Sequence, residues 1–412
     1  MKTPITSLGV IQESRDDESR APLAPIHIKK IKEKYPSINI IVQPSKLRTF
    51  NENEYIENGA EISDNLQNCD VIFGVKEVDD NILIPEKTYI FFSHTYKLNK
   101  DTLTNAQGTP GMDKKKLLKT IISKKIKLID YENIRDENGA RYLGFGRFAG
   151  IVGCYNTLNL FLSHNKFIPM ARAFKLNNYE RLINNIQQVR FPNFKLLITG
   201  DGRVARGVLD VLDKTNIKRV SKSEYLDKIF NEPIYCNLET KDYLTHDRKK
   251  DFNLEYFIKN PHEYQSNAMK FLKESHIFIS AHYWDPNSPK IFKKNELKDF
   301  SQLQIIGDIT CDVDGSVPST IRSTTIDKPN FYLDKINMIE TNDEKNNIGI
   351  MAVDNLPSEL PRDSSTEFGD GIVNEVLPYI LEKDDGRILN ATIAKAGYFL
   401  EKYSYLKKYI NS

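Results

Sequence analysis

Lys195 to Asp210 reads KLLITGDGRVARGVLD. A short apolar run, Leu196-Leu197-Ile198, ends at Gly200-Asp201-Gly202, and an amphipathic segment follows at once, with Val204, Val208 and Leu209 at helical spacing. The pattern is strand, tight glycine turn, helix. Gly200 lets the chain reverse, and Gly202 has no side chain to keep a pyrophosphate off the backbone. The helix offers free N–H groups and a positive dipole end to that phosphate. Ala205 stands where a third glycine would pack against the strand. Gly200, Asp201, Gly202, Arg203 and Val204 are therefore the expected cradle of a dinucleotide. A glycine-rich turn in any α/β protein is spelled the same way, so the flanking strand and helix give the motif its meaning.

Around this stretch lie 412 residues, enough for two domains that each bury a core. Lys+Arg is 58 and Asp+Glu is 56. So even a balance gives no support for nucleic acid or a membrane surface as partner. No apolar run approaches the length of a membrane span. The start, MKTPITSLGVIQESR, lacks the apolar core of a secretory signal, so a cytoplasmic protein is expected. Cys69, Cys154, Cys236 and Cys311 are scattered without a CxxC pair, which argues for reduced thiols rather than a metal site or a disulfide framework.

Taken in order, ITSLGVIQ reads as a strand and residues 13–20 as a loop. Pro25 then opens a helix, IHIKKIKEKY, as proline does at a first helical position. INIIVQP, CDVIFGVKEV and TYIFFSHTY are further strands. MDKKKLLKTIISKK is a helix, KLIDYENI a strand and DENGARYLGFG a hairpin-like turn. RFAGIVGCYNTLNLFLSHN reads as a long apolar helix, a rigid connector between domains, and Tyr179 to Val189 as another helix. NIKRVSKSEYL is the expected second strand of the nucleotide domain, with HIFISAHYW and LQIIGDITCDVDGS as later ones. Residues 237–272 read as an excursion of loop and helix, and the chain from Asn355 onward as helical. Strands alternating with helices imply a largely parallel sheet covered on both faces, whose ligands sit at the strands' carboxyl ends.

Hydride transfer needs a nicotinamide face, a polarised substrate and a proton shuttle. Lys76 and His94 end adjacent strands and suit the shuttle. A lysine among other cations in a closed site loses proton affinity, and a histidine titrates near neutrality. Arg20 and Arg141 are candidate carboxylate clamps, because a guanidinium grips a carboxylate with two parallel hydrogen bonds. Arg20 sits among Asp16, Asp17 and Glu18, where surface ion pairing is the plainer reading. Glu77, Glu132 and Asp354 could orient the cations or hold a substrate amine, or be solvated carboxylates. At the end of the expected second nucleotide strand stand Ser221, Lys222 and Ser223, which suit a 2′-phosphate and favour NADP. Glu224 beside them leaves NAD open.

The chain also resembles a known family over almost its full length. The marks are ESRDDESRAPLAP at 13–25, VKE at 75–77, FSHTYK at 92–97, LIDYENI at 128–134 and GARYLGFGRFAG at 139–150. HYWDPNSPK at 282–290, GDITCDVDGS at 307–316 and VDNLPSELPR at 353–362 follow. Together they resemble the saccharopine dehydrogenases, above all the lysine–2-oxoglutarate reductase half of the bifunctional lysine-degrading enzymes. The resemblance implies an α/β fold of two Rossmann-like domains with parallel sheets separated by a cleft, as in alanine dehydrogenase. It implies a substrate domain of residues 1–145, with 355–412 packing back on it, and a dinucleotide domain of residues 146–354. By the same likeness Lys76 and His94 would be the acid/base pair, and Arg20 and Arg141 would hold substrate carboxylates. Glu77, Glu132, Phe145 and Asp354 occupy matching site positions. Tyr283, Asp308 and Asp312 would border the cofactor, with Cys311 a departure from the family pattern. The implied reaction condenses L-lysine with 2-oxoglutarate and reduces the imine to saccharopine, or runs in reverse, with NADP or NAD and no metal. The second domain of the bifunctional relatives is not matched, so another chain would be expected to consume saccharopine. An opine-type or alanine dehydrogenase acting on another amine and 2-oxo acid, and a non-catalytic NADP-binding sensor, are the alternative readings. Physiological direction and oligomeric state are left open.

Overall fold

A computed structural model describes residues 5–97, 113–248 and 250–410. The chain divides into two compact units: residues 1–145 with 361–412, and residues 146–360.

The first unit begins with β1 (Ser7–Val10), α1 (Pro25–Lys34), β2 (Asn39–Val42), α2 (Glu52–Glu57) and β3 (Glu61–Ile62). It continues through β4 (Val71–Phe73), β5 (Thr88–Phe91), α3 (Lys114–Ser123) and β6 (Lys127–Asp130). These six strands run parallel, in the order β6-β5-β4-β1-β2-β3. Successive side chains point to opposite faces of a strand. Accordingly Val71, Phe73 and Ile90 join one apolar cluster, while Ile72, Tyr89 and Phe91 join another. Both faces of the sheet are thus covered, the usual condition of parallel strands.

The second unit opens with α4 (Gly146–His164) and α5 (Tyr179–Gln187). There follow β7 (Lys195–Thr199), α6 (Arg203–Leu212), β8 (Lys218–Arg219), α7 (Lys222–Asp227), β9 (Ile234–Leu238) and α8 (Thr240–Tyr243). A small antiparallel hairpin, β10 (Leu244–His246) and β11 (Tyr264–Ser266), encloses α9 (Leu254–Lys259) and precedes α10 (Met269–Leu272). The sheet is completed by β12 (Ile277–Ser280), β13 (Ile305–Asp308), β14 (Asn330–Leu333), β15 (Glu340–Thr341) and β16 (Ile348–Met351). Its order is β15-β14-β16-β13-β12-β7-β9-β8, in which β14 runs antiparallel to both of its neighbours and the other pairs are parallel. Strand order reverses between β7 and β12, and open α/β sheets bind ligands at such a switch point. Leu196, Ile198, Ile277 and Ile279 face one core and Leu197 and Phe278 the other.

The chain re-enters the first unit through α11 (Pro361–Glu375) and ends its sheet with β17 (Thr392–Lys395) and β18 (Tyr398–Phe399). β17 pairs antiparallel with β6.

Several expectations need correction. The strand expected over 69–78 stops at Phe73, and the one over 88–96 stops at Phe91. KLIDYENI leaves its strand at Asp130, whose side chain accepts the Glu132 N–H at 2.8 Å and winds Tyr131–Asn133 into a 3₁₀ turn. Of the expected hairpin at 136–146 only a single bridge, Arg135 to Arg141, forms. The strand expected over NIKRVSKSEYL is two residues long. Ser221 turns it into a helix by capping the Glu224 N–H while the Glu224 carboxylate returns to Ser221 N–H, a capping box. NATIAKAGYF was expected to be helical. Instead Ala396 and Gly397, both at positive φ, make the tight turn of a β-hairpin, and β-branched Thr392 and Ile393 suit its first strand.

α4 was expected to link domains. It is instead a core helix of the second unit, buried along most of its length. It crosses α6 where Gly150 meets the backbone of Val204 and Val208, and where Gly207 meets the backbone of Arg147 and Ile151. Any side chain at either glycine would drive the helices apart. The second unit also ends at Leu360 rather than at residue 354. The 3₁₀ turn Leu356–Glu359 is held to α4 by Asn156, whose amide donates to Glu359 at 2.7 Å.

Candidate functional site

In the first unit the carboxyl ends of β1, β4, β5 and β6 each deliver charged side chains to one neighbourhood. β4 ends just before Gly74, and the turn after it carries Lys76 and Glu77. Glu13, three residues past β1, fixes that turn by accepting the N–H of Val75 at 2.6 Å and of Lys76 at 2.9 Å. β5 ends before Ser93-His94. His94 sits at φ +51°, a left-handed conformation that costs a non-glycine residue roughly 1 kcal/mol or more and collects at working sites. Its ring stacks on Phe92 and its Nδ1 lies 2.6 Å from Glu77 Oε1. Beneath it the Ser93 N–H and hydroxyl both donate to the buried Asp130 at the end of β6.

The electrostatics follow from burial. Burial depresses the Lys76 ammonium, and the charges of Arg20 and Arg15 add to this against the pull of Glu18 and Glu77. Burial alone would raise Glu77, but the hydrogen bond and charge of His94, with Lys76 behind them, hold its carboxyl at about 2. With Glu77 ionised, His94 Nδ1 must carry the proton of that bond, so Nε2 is the atom left to exchange one. Burial likewise opposes ionisation of Glu132, and Lys97, Arg141 and His94 overcome it to hold the group at about 2. For Glu13 burial and the nearby Glu18 outweigh the Val75 and Lys76 N–H bonds and the charge of Arg48, and push it up to about 7.

Lys76, Glu77, His94, Glu132, Arg141, Arg20 and Phe145 all belong to this unit. Arg20 is not on the surface. It is 2% exposed and forms a two-pronged pair with the fully buried Glu18, while its guanidinium lies 4.0 Å from the Phe145 ring centroid. Arg141 Nη2 is 2.9 Å from Glu132, which also receives Lys97 and the Tyr96 hydroxyl. The two arginines thus arrive with carboxylates of their own. Asp354 lies in the second unit, in the turn after β16. Sequence reasoning missed Glu13, Asp130 and Lys114. Lys114 opens α3, and burial first, then neighbouring lysines, lowers its ammonium. Phe368, stacked 4.3 Å from Phe145, comes from α11 and had no local signal.

In the second unit Gly200 adopts φ +123°, and a methyl there would strike the Ala281 carbonyl after β12. Above Gly202, the N-cap of α6, a methyl would meet nothing within 4 Å. This open space over free helical N–H groups fits a pyrophosphate. Asp201 and Arg203 flank Gly202, and Val204 packs its side chain toward α4. His282, after β12, bonds Thr199 through Nδ1 at 2.7 Å, and burial pushes it down to about 3, so the ring is neutral. Asp308 ends β13, where burial raises it to about 6 while Thr310 and Thr320 donate to it. Asp312 follows in the next turn, and Tyr283 is 70% exposed. Ser221 caps α7 and Lys222 is paired with Asp242, one strand away from β9, the neighbour of β7. Among the described residues no helix is long and apolar enough to cross a membrane. Cys69, Cys154 and Cys236 are buried free thiols.

Residues 9–152 match the model of the alanine dehydrogenase/PNT N-terminal domain. The alpha-aminoadipic semialdehyde synthase of Arabidopsis thaliana is 27% identical over 97% of this chain, which spans 41% of that longer protein. The saccharopine dehydrogenase [NAD(+), L-lysine-forming] of Schizosaccharomyces pombe is 24% identical, covering 89% of this chain and 90% of that one. Among solved structures an L-alanine dehydrogenase superposes with a TM-score of 0.62 at 13% identity, over 98% of this chain and 99% of the other, a likeness of fold. The domain match and the relatives agree with one another: residues 9–152 carry an alanine dehydrogenase/PNT N-terminal domain, and over nearly its full length the chain is similar to alpha-aminoadipic semialdehyde synthases and saccharopine dehydrogenases.

Proposed function

We propose that this chain is a nicotinamide-dependent oxidoreductase that joins L-lysine to 2-oxoglutarate and reduces the resulting imine to saccharopine, or runs the reverse. The observation that carries the reading is the Lys76–Glu77–His94 group: a buried lysine of lowered proton affinity beside a histidine whose Nδ1 is tied to a carboxylate. Attack of an amine on a keto carbon, loss of water from the carbinolamine, and the reverse hydrolysis each need a proton given or taken at neutral pH. Lys76 Nζ and His94 Nε2 serve these transfers. Arg20, fixed by Glu18 and Phe145, and Arg141, held at Glu132, supply the positive field for the substrates' carboxylates. Glu77, Phe145 and Asp354 complete the substrate residues. The dinucleotide, when bound, supplies or accepts the hydride. Gly200, Asp201, Gly202, Arg203 and Val204 would hold its pyrophosphate, and Tyr283, Asp308 and Asp312 would be its further contacts. On this reading residues 1–145 with 361–412 hold the substrates and residues 146–360 the cofactor.

The test is oxidation of NADH and of NADPH by the full chain with 2-oxoglutarate and a panel of amines. Turnover with lysine supports the assignment. Turnover with ammonia and pyruvate but not lysine moves the chain to an alanine dehydrogenase. Binding of the dinucleotide without turnover for any amine makes it a sensor.

A further inference from the structure

We propose that the lobe between β10 and β11 holds a second small-molecule site, for a free α-amino acid with an apolar or aromatic side chain. The chain between these strands folds on itself. Asn253 caps α9 by accepting the Tyr256 N–H at 2.8 Å, and Phe257 sets its ring edge-on to Tyr264, centroids 5.2 Å apart, which pins the helix to the hairpin. Beside them lies an open cavity of about 420 Å³. None of the residues given above to the substrates or the dinucleotide lines it, so the site stands or falls apart from the proposed reaction.

The cavity has a built polar wall. His246 and Tyr264 are paired directly across the hairpin and both line the cavity. Residues opposite each other in an antiparallel pair share one face of the sheet. They are 2% and 4% exposed. His246 Nδ1 accepts the Arg248 N–H at 3.0 Å, so Nε2 carries the ring's proton. That Nε2 lies 3.2 Å from Glu263 Oε2 but out of line for a hydrogen bond, and the same oxygen already receives the Tyr256 hydroxyl at 2.9 Å. The Tyr264 hydroxyl has no hydrogen-bond partner. Buried polar groups are nearly always paired, so two unmet donors on one wall point to a ligand that meets them.

The rim supplies charge. Lys250 and Lys259 bring two cations to the cavity, and Asp251 and Glu255 bring two carboxylates. Among the described residues none of the four is ion-paired, although Lys250 lies 5.7 Å from the Tyr256 ring centroid. Opposite charges that line one cavity without meeting match a ligand that carries both signs. Their equal number matches one of no net charge. A zwitterion has both properties. Its carboxylate takes the lysines and the two buried donors, its ammonium takes Asp251 and Glu255, and its side chain lies against the rings of Tyr256 and Tyr264.

The experiment is calorimetric titration of the full chain with L-leucine and with L-phenylalanine, neither a substrate of the proposed reaction. At least one is expected to bind, one molecule per chain, and to stay bound in excess NADH. Tyr264→Phe removes only the hydroxyl, and Lys259→Glu reverses an exposed charge. Each is expected to weaken the amino acid about tenfold or more. The unfolding temperature of Tyr264→Phe should equal or exceed the parent's, since the hydroxyl has no bond to lose. 4-Methyl-2-oxopentanoate, which is leucine without its ammonium, is expected to bind about tenfold more weakly than leucine. Binding of neither amino acid, full affinity in either variant, equal binding of the oxo acid, or displacement by NADH overturns the proposal.

Discussion

Glu77 Oε1 lies 2.6 Å from His94 Nδ1, and the glutamate is fully buried. The pair joins the turn after β4 to the turn after β5. A strand end fixed by its neighbour is a stiff mount for a proton-transfer group, and the left-handed backbone of His94 persists because Glu77, Phe92 and the Ser93–Asp130 bonds all hold it.

Replacing Lys76 by Met, or His94 by Gln, is expected to lower turnover by about 10²- to 10⁴-fold. Dinucleotide affinity should stay near that of the unchanged chain, since the glycine loop belongs to the other unit. Steady-state rates and calorimetric binding of the same preparations check this. Unchanged turnover in either variant would remove that residue from the shuttle.

Acid stability should report the depressed carboxylates. Glu77 and Glu132 stand at about 2 in the fold against an ordinary 4.5. Their stabilisation is fully present above about 4.5 and is lost as pH falls toward 2. Urea unfolding of Glu77→Gln and Glu132→Gln is expected to give midpoints below that of the parent at pH 7 that converge on it as the medium is acidified.

Glu13 predicts the opposite slope. Its folded value of about 7 lies above 4.5, so the fold binds the extra proton between those values. Its contribution is greatest below about 4.5 and declines as pH rises through 7. A Glu13→Gln chain should lose that decline. It should also lose some turnover, because one carboxamide oxygen and an amide nitrogen cannot both accept the Val75 and Lys76 N–H groups.

The glycines separate binding from folding. Gly202→Val finds open space and should keep the fold while weakening the dinucleotide about tenfold or more. Gly207→Ala pushes on the Arg147 carbonyl of α4 and should cost roughly 1–3 kcal/mol or more in stability. Thermal unfolding and dinucleotide titration of the two variants distinguish the effects.

The strand–glycine–helix unit at 195–212 was legible because its signal is local: an apolar run, a turn residue, a helical period. That Lys76, Glu77, His94 and Glu132 would lie at the ends of neighbouring strands was legible for a related reason, since each follows shortly on an apolar run. What escaped was set by tertiary context. Arg20 looked like a surface cation, yet Glu18 carries its charge into the interior. Glu13 and Phe368 work through backbone and ring contacts that leave no spacing rule. The neighbour of β7 was misjudged because KRV has a strand's composition, but only pairing decides which strand lies beside which. Within the stretch read as helical from Asn355 onward, residues 392–399 were misread because the two positive-φ turn residues, Ala396 and Gly397, include one that is not a glycine.

The first sheet is stitched from both ends of the polypeptide: β6 acquires its outer neighbour only when Thr392–Lys395 is added. A nascent chain emerging from the ribosome therefore holds the bare flank of β6 for more than half of its synthesis, while the middle unit has every segment it needs. Such an uncapped border invites association with other chains. Truncation before Thr392 should consequently show itself as aggregation during expression, even though none of the residues removed bears a candidate catalytic group.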